Sequence, residues 1–436
     1  MKRYDSYKDS GVEWIGKVPS DWQVYRLKKC LQERKEKNDP IKTDFILSLT
    51  NTKGVIPYSE KGDLGNKAKG DPSGYNLAYP GDIVLNSMNV VIGSVGLSNY
   101  FGAVSPVYYM LYPRSEKDDV RYYNYIFQMS EFQYALKGLG NGILEIRMRI
   151  PMNKLNNVLI PLPSSEEQQM ISNYLDKKTS QIDSLIDKNE KSIELLEEYR
   201  KSIISEAVTK GLDPNAPMKD SGVEWIGEIP EGWSIGHLSY FVKSITDLDH
   251  YMPESVDLGI PYLMIGDLED RASKIKFDKC KQISKEDFQR LAKKSRPSVG
   301  DLIVARYATI GTSCIVDIDR EFLVTYGCLT VTPDLSNLTS EYLFYYMKSD
   351  VFLTDLSLQS NSNTQANVGK ESLKYSTIIV PSTDEQQRVV LYLDEKTSQI
   401  DSLIDKKKQL IEKLTQYRKS LISECVTGKI KVPGVE

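Results

Sequence analysis

Apolar positions in the middle of the chain settle into a single period. From Ile182 they run through Ile186, Ile193, Leu196, Ile203 and Ala207, and with Asn189 and Arg200 filling the gaps the spacings are 4, 3, 4, 3, 4, 3, 4. Alternating threes and fours are the seam of a coiled coil, so the pattern predicts a long amphipathic helix. It returns near the C-terminus as Ile400, Ile404, Lys407, Ile411, Leu414, Arg418, Leu421 and Cys425, with polar interruptions at matching places. Pro163 and Pro381 precede the two helices, and Glu166, Glu167, Asp384 and Glu385 set negative charge at their positive N-terminal ends. Gly211 and Gly428 mark where they stop. About 45 residues at about 1.5 Å each make rods on the order of 65 Å. Two rods of matching sequence can pack antiparallel as a spacer, with Asn189 and Lys407 as register setters; a plain intramolecular hairpin is the simpler reading.

The helices belong to a larger repeat. Asp9-Ser-Gly-Val-Glu-Trp-Ile-Gly-Lys-Val-Pro-Ser-Asp-Trp22 returns as Asp220-Ser-Gly-Val-Glu-Trp-Ile-Gly-Glu-Ile-Pro-Glu-Gly-Trp233, identical at 10 of 14 positions with an offset of 211. Ser164 to Lys210 returns as Ser382 to Gly428, identical at 30 of 47 positions with an offset of 218. Between these blocks the likeness almost vanishes. One trace survives: Pro80-Gly-Asp-Ile-Val followed by Ile92-Gly, against Val299-Gly-Asp-Leu-Ile-Val followed by Ile310-Gly, each a turn feeding a strand-like apolar run. A repeated frame with divergent inserts predicts two blocks of one fold and different surfaces.

The predicted fold class is therefore α+β: two similar β-rich domains joined by two long antiparallel coiled-coil helices, with a pseudo-two-fold internal repeat. The boundaries are 1–163 for the first lead and block, 164–211 for the central helix, 212–381 for the second lead and block, and 382–436 for the C-terminal helix and tail. A length of 436 residues is ample for domains with their own cores. Mean hydropathy is -0.39 with 27% charged residues, no apolar run approaches 18 residues, and Met1 to Ser10 is polar, so a soluble, cytoplasmic protein is expected.

Few kinds of chemistry fit. Five scattered cysteines without a CxxC pair suit reduced thiols, and with only His237 and His250 a histidine metal site or triad is poorly supported. There is no GxGxxG followed by an acidic residue, no GxxxxGK[ST], no HExxH and no Asn/Asp-Pro-Pro-Tyr/Phe segment. The formal charge of -4 hides a gradient: residues 20–160 hold 18 basic and 14 acidic side chains, residues 161–230 hold 8 and 14, and residues 231–378 hold 16 and 20. The first block suits a phosphate backbone; the second has a local basic cluster at Lys274, Lys276, Lys279, Lys281, Lys293, Lys294 and Arg296.

Groups able to read bases gather at the end of each block. At the offset of 218, the stretch holding Asn141, Arg147 and Arg149 aligns with the stretch holding Asn361, Asn363, Gln365 and Asn367, just before Lys370, so Arg147 falls on Gln365 and Arg149 on Asn367. Arginine pairs bidentately with guanine and Asn or Gln with adenine, so swapped chemistry at matched positions is what two readers of different sequences require. Asn86, Ser87 and Asn89 after the first Gly-Asp strand, and Arg306, Tyr307 and Thr309 after the second, are further candidates. The competing reading of each is a polar surface loop.

The whole layout resembles the specificity subunit of type I restriction-modification systems. The lead Asp-Ser-Gly-Val-Glu-Trp-Ile-Gly-x-x-Pro-x-x-Trp, the Gly-Asp strands, the Pro-x-x-x-Glu-Gln-Gln helix starts, Thr-Ser-Gln-Ile-Asp-Ser-Leu-Ile-Asp and Tyr-Arg-Lys-Ser carry the resemblance across the chain. It implies two target recognition domains, each reading half of a bipartite double-stranded DNA sequence, held apart by a helical spacer. It also implies no catalysis in this chain and no cofactor bound by it. Two methylation subunits would use S-adenosylmethionine, and restriction subunits would use ATP and Mg. The surface for these partners is expected on the repeated leads and long helices, through Ile182, Ile186, Ile193, Leu196 and Ile203 and through Ile400, Ile404, Ile411, Leu414 and Leu421. The alternative is a duplicated scaffold that joins two identical partners and reads no DNA; an intrinsic nuclease or fused methyltransferase lacks its motifs.

Overall fold

The computed structural model describes residues 2–51, 53–62, 71–140, 149–268, 275, 277, 280–307, 311–359 and 368–435. The chain folds into two compact units, Met1–Asn189 with Gln409–Glu436, and Glu190–Lys408. At the centre of each is a four-stranded antiparallel sheet. In the first unit its order is Leu31–Arg34, Tyr108–Pro113, Ile83–Asn86 and Val95–Leu97; in the second it is Val242–Thr246, Cys328–Pro333, Leu302–Ala305 and Ser313–Ile315. Two blocks with almost no sequence in common thus share one sheet.

The surviving Gly-Asp trace explains how. Gly81 and Gly300 take φ values of 88° and 90°, a left-handed conformation that side chains disfavour. The aspartate that follows closes the turn: Asp82 accepts the Tyr79 N–H at 2.9 Å, and Asp301 accepts the Ser298 N–H at 2.8 Å. The strand then runs between two cores. Ile83 and Leu85 face one and Val84 the other, just as Leu302 and Val304 face one while Ile303 and Ala305 face the other. Burial on both faces is why these strands read as unbroken apolar runs.

The leads are short hairpins, Tyr7–Asp9 with Lys17–Pro19 and Met218–Asp220 with Glu228–Pro230. Their Asp-Ser-Gly-Val motif caps its own turn: Asp9 and Asp220 each accept a glycine N–H at 2.9 Å, and Ser10 and Ser221 accept the Val12 and Val223 N–H groups. Next, Gln23–Arg26 pairs with Leu159–Leu162, and Ser234–His237 with Thr377–Val380, so each block is closed by its own ends.

The long helices span Ser165–Lys210 and Thr383–Val426. Each unit holds one end of each, and the pieces run antiparallel. In the first unit Ile182 and Leu421 are buried, with Ile186 and Leu414 packed beside them. In the second, Ile203, Ile400 and Ile404 are buried, with Ile193 and Leu196 alongside. The seam arginines are paired across the helices, Arg418 to Asp183 at 2.8 Å and Arg200 to Asp401 at 3.1 Å. Asn189 donates back to the Leu185 carbonyl of its own helix at 2.8 Å.

Tyrosines in the variable blocks tie the helices down. Tyr122 is fully buried and donates to the carbonyls of Pro161 and Val426, at 3.1 and 3.0 Å; Tyr342 does the same with Ile379 and Val208, at 3.0 and 3.2 Å. Tyr125 donates to Asp176 at 2.7 Å and Tyr345 to Asp394 at 2.6 Å. The Glu-Gln-Gln motif belongs to the same framework. Gln168 and Gln386 are buried and accept the N–H groups of Asp119 and Thr339, each the N-cap of the next helix in its block.

Candidate nucleic-acid interface

In both units the strand behind the Gly-Asp turn ends beside the last segment of the variable block. The Ile150 N–H donates to the Ser87 carbonyl at 2.9 Å, and the Val368 N–H donates to the Arg306 carbonyl at 2.9 Å. The strand ends and the segments that follow the later candidates, far apart in sequence, therefore meet in space. Arg149 stands exposed next to the first junction and Lys370 next to the second, at the start of the short helix Lys370–Lys374. Asn141, Arg147, Thr309, Asn361, Asn363, Gln365 and Asn367 lie outside the described residues.

The candidates at the strand ends differ in kind. Asn86 is half-buried and accepts the Met88 N–H at 3.0 Å, stiffening the loop, while Asn89 is half-buried and its carbonyl accepts the Ile92 and Ser94 N–H groups. Ser87 corrects the expectation. It is wholly buried and its hydroxyl donates to the Val107 carbonyl at 2.8 Å, so it secures the loop and offers nothing to a ligand.

In the second unit the matching position is charged. Arg306 is half-buried, and its Nη1 donates to Asp247 at 3.2 Å and to the Tyr326 carbonyl at 3.4 Å, while its Nε is buried without a partner. Tyr307 is half-buried beside it, with the guanidinium 5.8 Å from its ring centre, and His250 stacks on Tyr326 with ring centres 3.9 Å apart.

Three members of the second unit's basic cluster are committed to their own neighbours. Lys294 pairs with Asp249, Arg296 with Glu321 at 3.5 Å, and Lys281 donates to the Pro253 carbonyl. Lys274, Lys276 and Lys279 lie outside the described residues. Among the described residues, no group of three or more His, Cys, Asp or Glu is placed to hold a metal ion, and no helix is long and apolar enough to cross a membrane. All five cysteines are buried thiols, and burial pushes those of Cys328 and Cys425 up to about 12.

The helices also need a correction. Of the seam residues named above as a partner surface, all but Ile411 pack into the cores, and Ile182, Ile203, Ile400, Ile404 and Leu421 are all at most 6% exposed. Among the apolar side chains that the helices leave exposed is a heptad-spaced set: Leu403, Leu410 and Tyr417 on the C-terminal helix, and Leu185 and Tyr199 on the central one. At the offset of 218, Leu185 matches Leu403 and Tyr199 matches Tyr417. The first unit thus carries Leu185 and Tyr417, and the second carries Tyr199 and Leu403.

The family model of the type I restriction modification DNA specificity domain matches residues 19–195 and 249–416 of this chain. The chain is 25% identical over 428 residues to the type I restriction enzyme MjaVIII specificity subunit of Methanocaldococcus jannaschii, a match that spans 95% of this chain and 94% of that one. Among solved structures, it shares its fold with a chain from work on complex assembly and conformational transition of the type I R-M system. The TM-score is 0.70 at 16% identity, over 95% of this chain and 99% of the other. It shares it also with the HsdS subunit from Thermoanaerobacter tengcongensis, with a TM-score of 0.51 at 17% identity over 95% and 98% of the two chains.

Proposed function

Since the chain belongs to the type I restriction modification DNA specificity family, we propose that its two units read the two halves of one bipartite DNA target. The chain is the DNA-recognition subunit of such a system and is not itself an enzyme. One observation supports the division of labour. Each unit joins the end of its Gly-Asp strand to the last segment of its variable block by the same hydrogen bond, yet the residue at the strand end differs, a buried Ser87 against a charged Arg306. A common scaffold with exchanged donors and acceptors is the requirement for reading two sequences with one fold. The scaffold that joins partners without reading DNA is disfavoured by the family match.

Two methylation subunits dock on this chain in the proposal, one on Leu185 and Tyr417 of the first unit and one on Tyr199 and Leu403 of the second. Identical partners need the same face twice, and these are the exposed apolar side chains that the repeat duplicates. Restriction subunits join that assembly. S-adenosylmethionine, ATP and Mg bind to the partners, and the complex works in the cytoplasm. Phosphate neutralisation is shared with those partners, because residues 231–378 are net acidic.

A footprint of the full-length chain assembled with its methylation subunits tests the reading. The expected pattern is two protected, sequence-specific half-sites separated by base pairs whose identity does not matter. Protection of a single continuous site, or binding indifferent to sequence, would overturn it.

A further inference from the structure

We infer that Arg306 is the side chain with which the second unit reads a base of its half-site, and that Asp247 is the positioning residue that holds it before DNA arrives. The inference rests on the DNA-reading function proposed above and deepens it.

The repeat itself shows that Arg306 exceeds what the fold needs. Ser87 and Arg306 occupy one structural position, the first residue past the strands Ile83–Asn86 and Leu302–Ala305. Both carbonyls accept the closing N–H of their block, from Ile150 and Val368. Both side chains donate to a carbonyl of the segment that leads into the neighbouring strand, Val107 for Ser87 and Tyr326 for Arg306. A hydroxyl does this work in the first unit while fully buried. The arginine does it with Nη1 alone and adds a charge and further donors, among them the Nε that is buried without a partner. A guanidinium with donors to spare is the group that grips O6 and N7 of guanine as a pair.

The charge is balanced in a way peculiar to this unit. Strand pairing sets Met110 opposite Arg34 and Thr330 opposite Thr246, so Thr246 stands in the second unit where Arg34 stands in the first, and Asp247 follows it. Arg34 there makes a two-pronged bond to Asp82, at 2.9 and 3.1 Å. In the second unit Thr246 has no charge to offer, Asp301, which corresponds to Asp82, accepts the Ser298 N–H, and the ion pair is instead that of Asp247 with Arg306. The Asp247–Arg306 contact engages only Nη1, at 3.2 Å, and the two side chains keep 24% and 18% of their surface exposed. Such a single-point, part-exposed pair is weak enough to be exchanged for a DNA acceptor and strong enough to fix the arginine's direction beforehand. The carboxylate also opposes phosphates, so it penalises DNA that does not supply the matching base.

The test uses the full-length chain assembled with its methylation subunits and duplexes selected from a random-sequence pool. Arg306→Ser installs the residue that the first unit uses, so folding is expected to survive, and unchanged selection of the first unit's half-site is the internal control. The expected result is loss of discrimination at one position of the second half-site by about 10- to 100-fold. Asp247→Asn is expected to tighten binding to unrelated duplex by about 3- to 10-fold while blurring the same position, and to have no effect on that position once Arg306 is serine. A uniform loss over all sequences with a shallower salt dependence in Arg306→Ser marks a phosphate contact and overturns base reading. An equal effect of Asp247→Asn with and without Arg306 overturns the positioning role. If the unaltered complex selects no bipartite target, the proposed function fails, whereas a bipartite target insensitive to Arg306→Ser sinks this inference alone.

Discussion

Replacing Tyr199 and Leu403 together by serine is expected to strip one methylation subunit from the complex and leave the other in place. Both side chains are already in water, Tyr199 at 54% and Leu403 at 47% exposure, so the folded chain loses little by their removal. The magnitude follows from what a partner would cover. Half of a tyrosine that can bury about 200 Å² is about 100 Å², or about 2.5 kcal/mol at roughly 25 cal/mol per Å². Half of a leucine side chain adds about 1 kcal/mol. Ordering the interface offsets part of this, leaving a loss of about 2 to 3 kcal/mol, which is about 30- to 150-fold in Kd. Native mass spectrometry of mixtures with the methylation subunit reads the stoichiometry, and sedimentation velocity across a dilution series reads the affinity. The pair Leu185→Ser and Tyr417→Ser should remove the other subunit, and all four substitutions should remove both. The affinity lost should change little with salt, since the contact is apolar. A folded fourfold variant that still binds two partners at unchanged Kd would refute the assignment of this face.

Three further outcomes follow from the framework. Tyr122→Phe and Tyr342→Phe each orphan buried carbonyls at the end of a long helix, so each should cost about 1 to 3 kcal/mol in urea unfolding, with similar values in the two units; a cost in one alone would break the proposed equivalence. Gly428→Ala should be worse than Gly211→Ala, because both glycines have φ near +70° but the new Cβ at 428 would sit 2.4 Å from Pro19 Cδ, against 3.1 Å from Trp233 at 211; melting temperatures in the reverse order would contradict this. Burial raises the Asp301 carboxyl above its ordinary value, so the folded chain keeps that proton at a pH where the unfolded chain has lost it. Its contribution is therefore greatest below the ordinary aspartate range and is lost as pH rises through the raised value, and melting curves of Asp301→Asn should lack that decline.

How much of this could be read from the sequence depends on whether a residue's reason is local. The leads, the helix starts and the Gly-Asp turns were legible because their side chains bond within a few residues or sit at a forced φ, and such requirements reappear wherever the turn does. The long helices were legible from periodicity, but periodicity marks the stripe that is buried. It therefore pointed to Ile182 and its seam partners as a docking face, although the apolar side chains left exposed at matching places are the sparser Leu185, Tyr199, Leu403 and Tyr417. The tyrosine anchors leave a trace, Tyr122-x-x-Tyr125 against Tyr342-x-x-Tyr345, but their offset of 220 matches neither flanking repeat. The equivalence of Ser87 and Arg306 has no trace at all. Nothing in the residue types relates a serine to an arginine; only the matching bonds of their carbonyls to the Ile150 and Val368 N–H groups do so. That is the expected behaviour of a recognition position: its backbone bonds are fixed by the fold, and its side chain is set by the DNA it must meet.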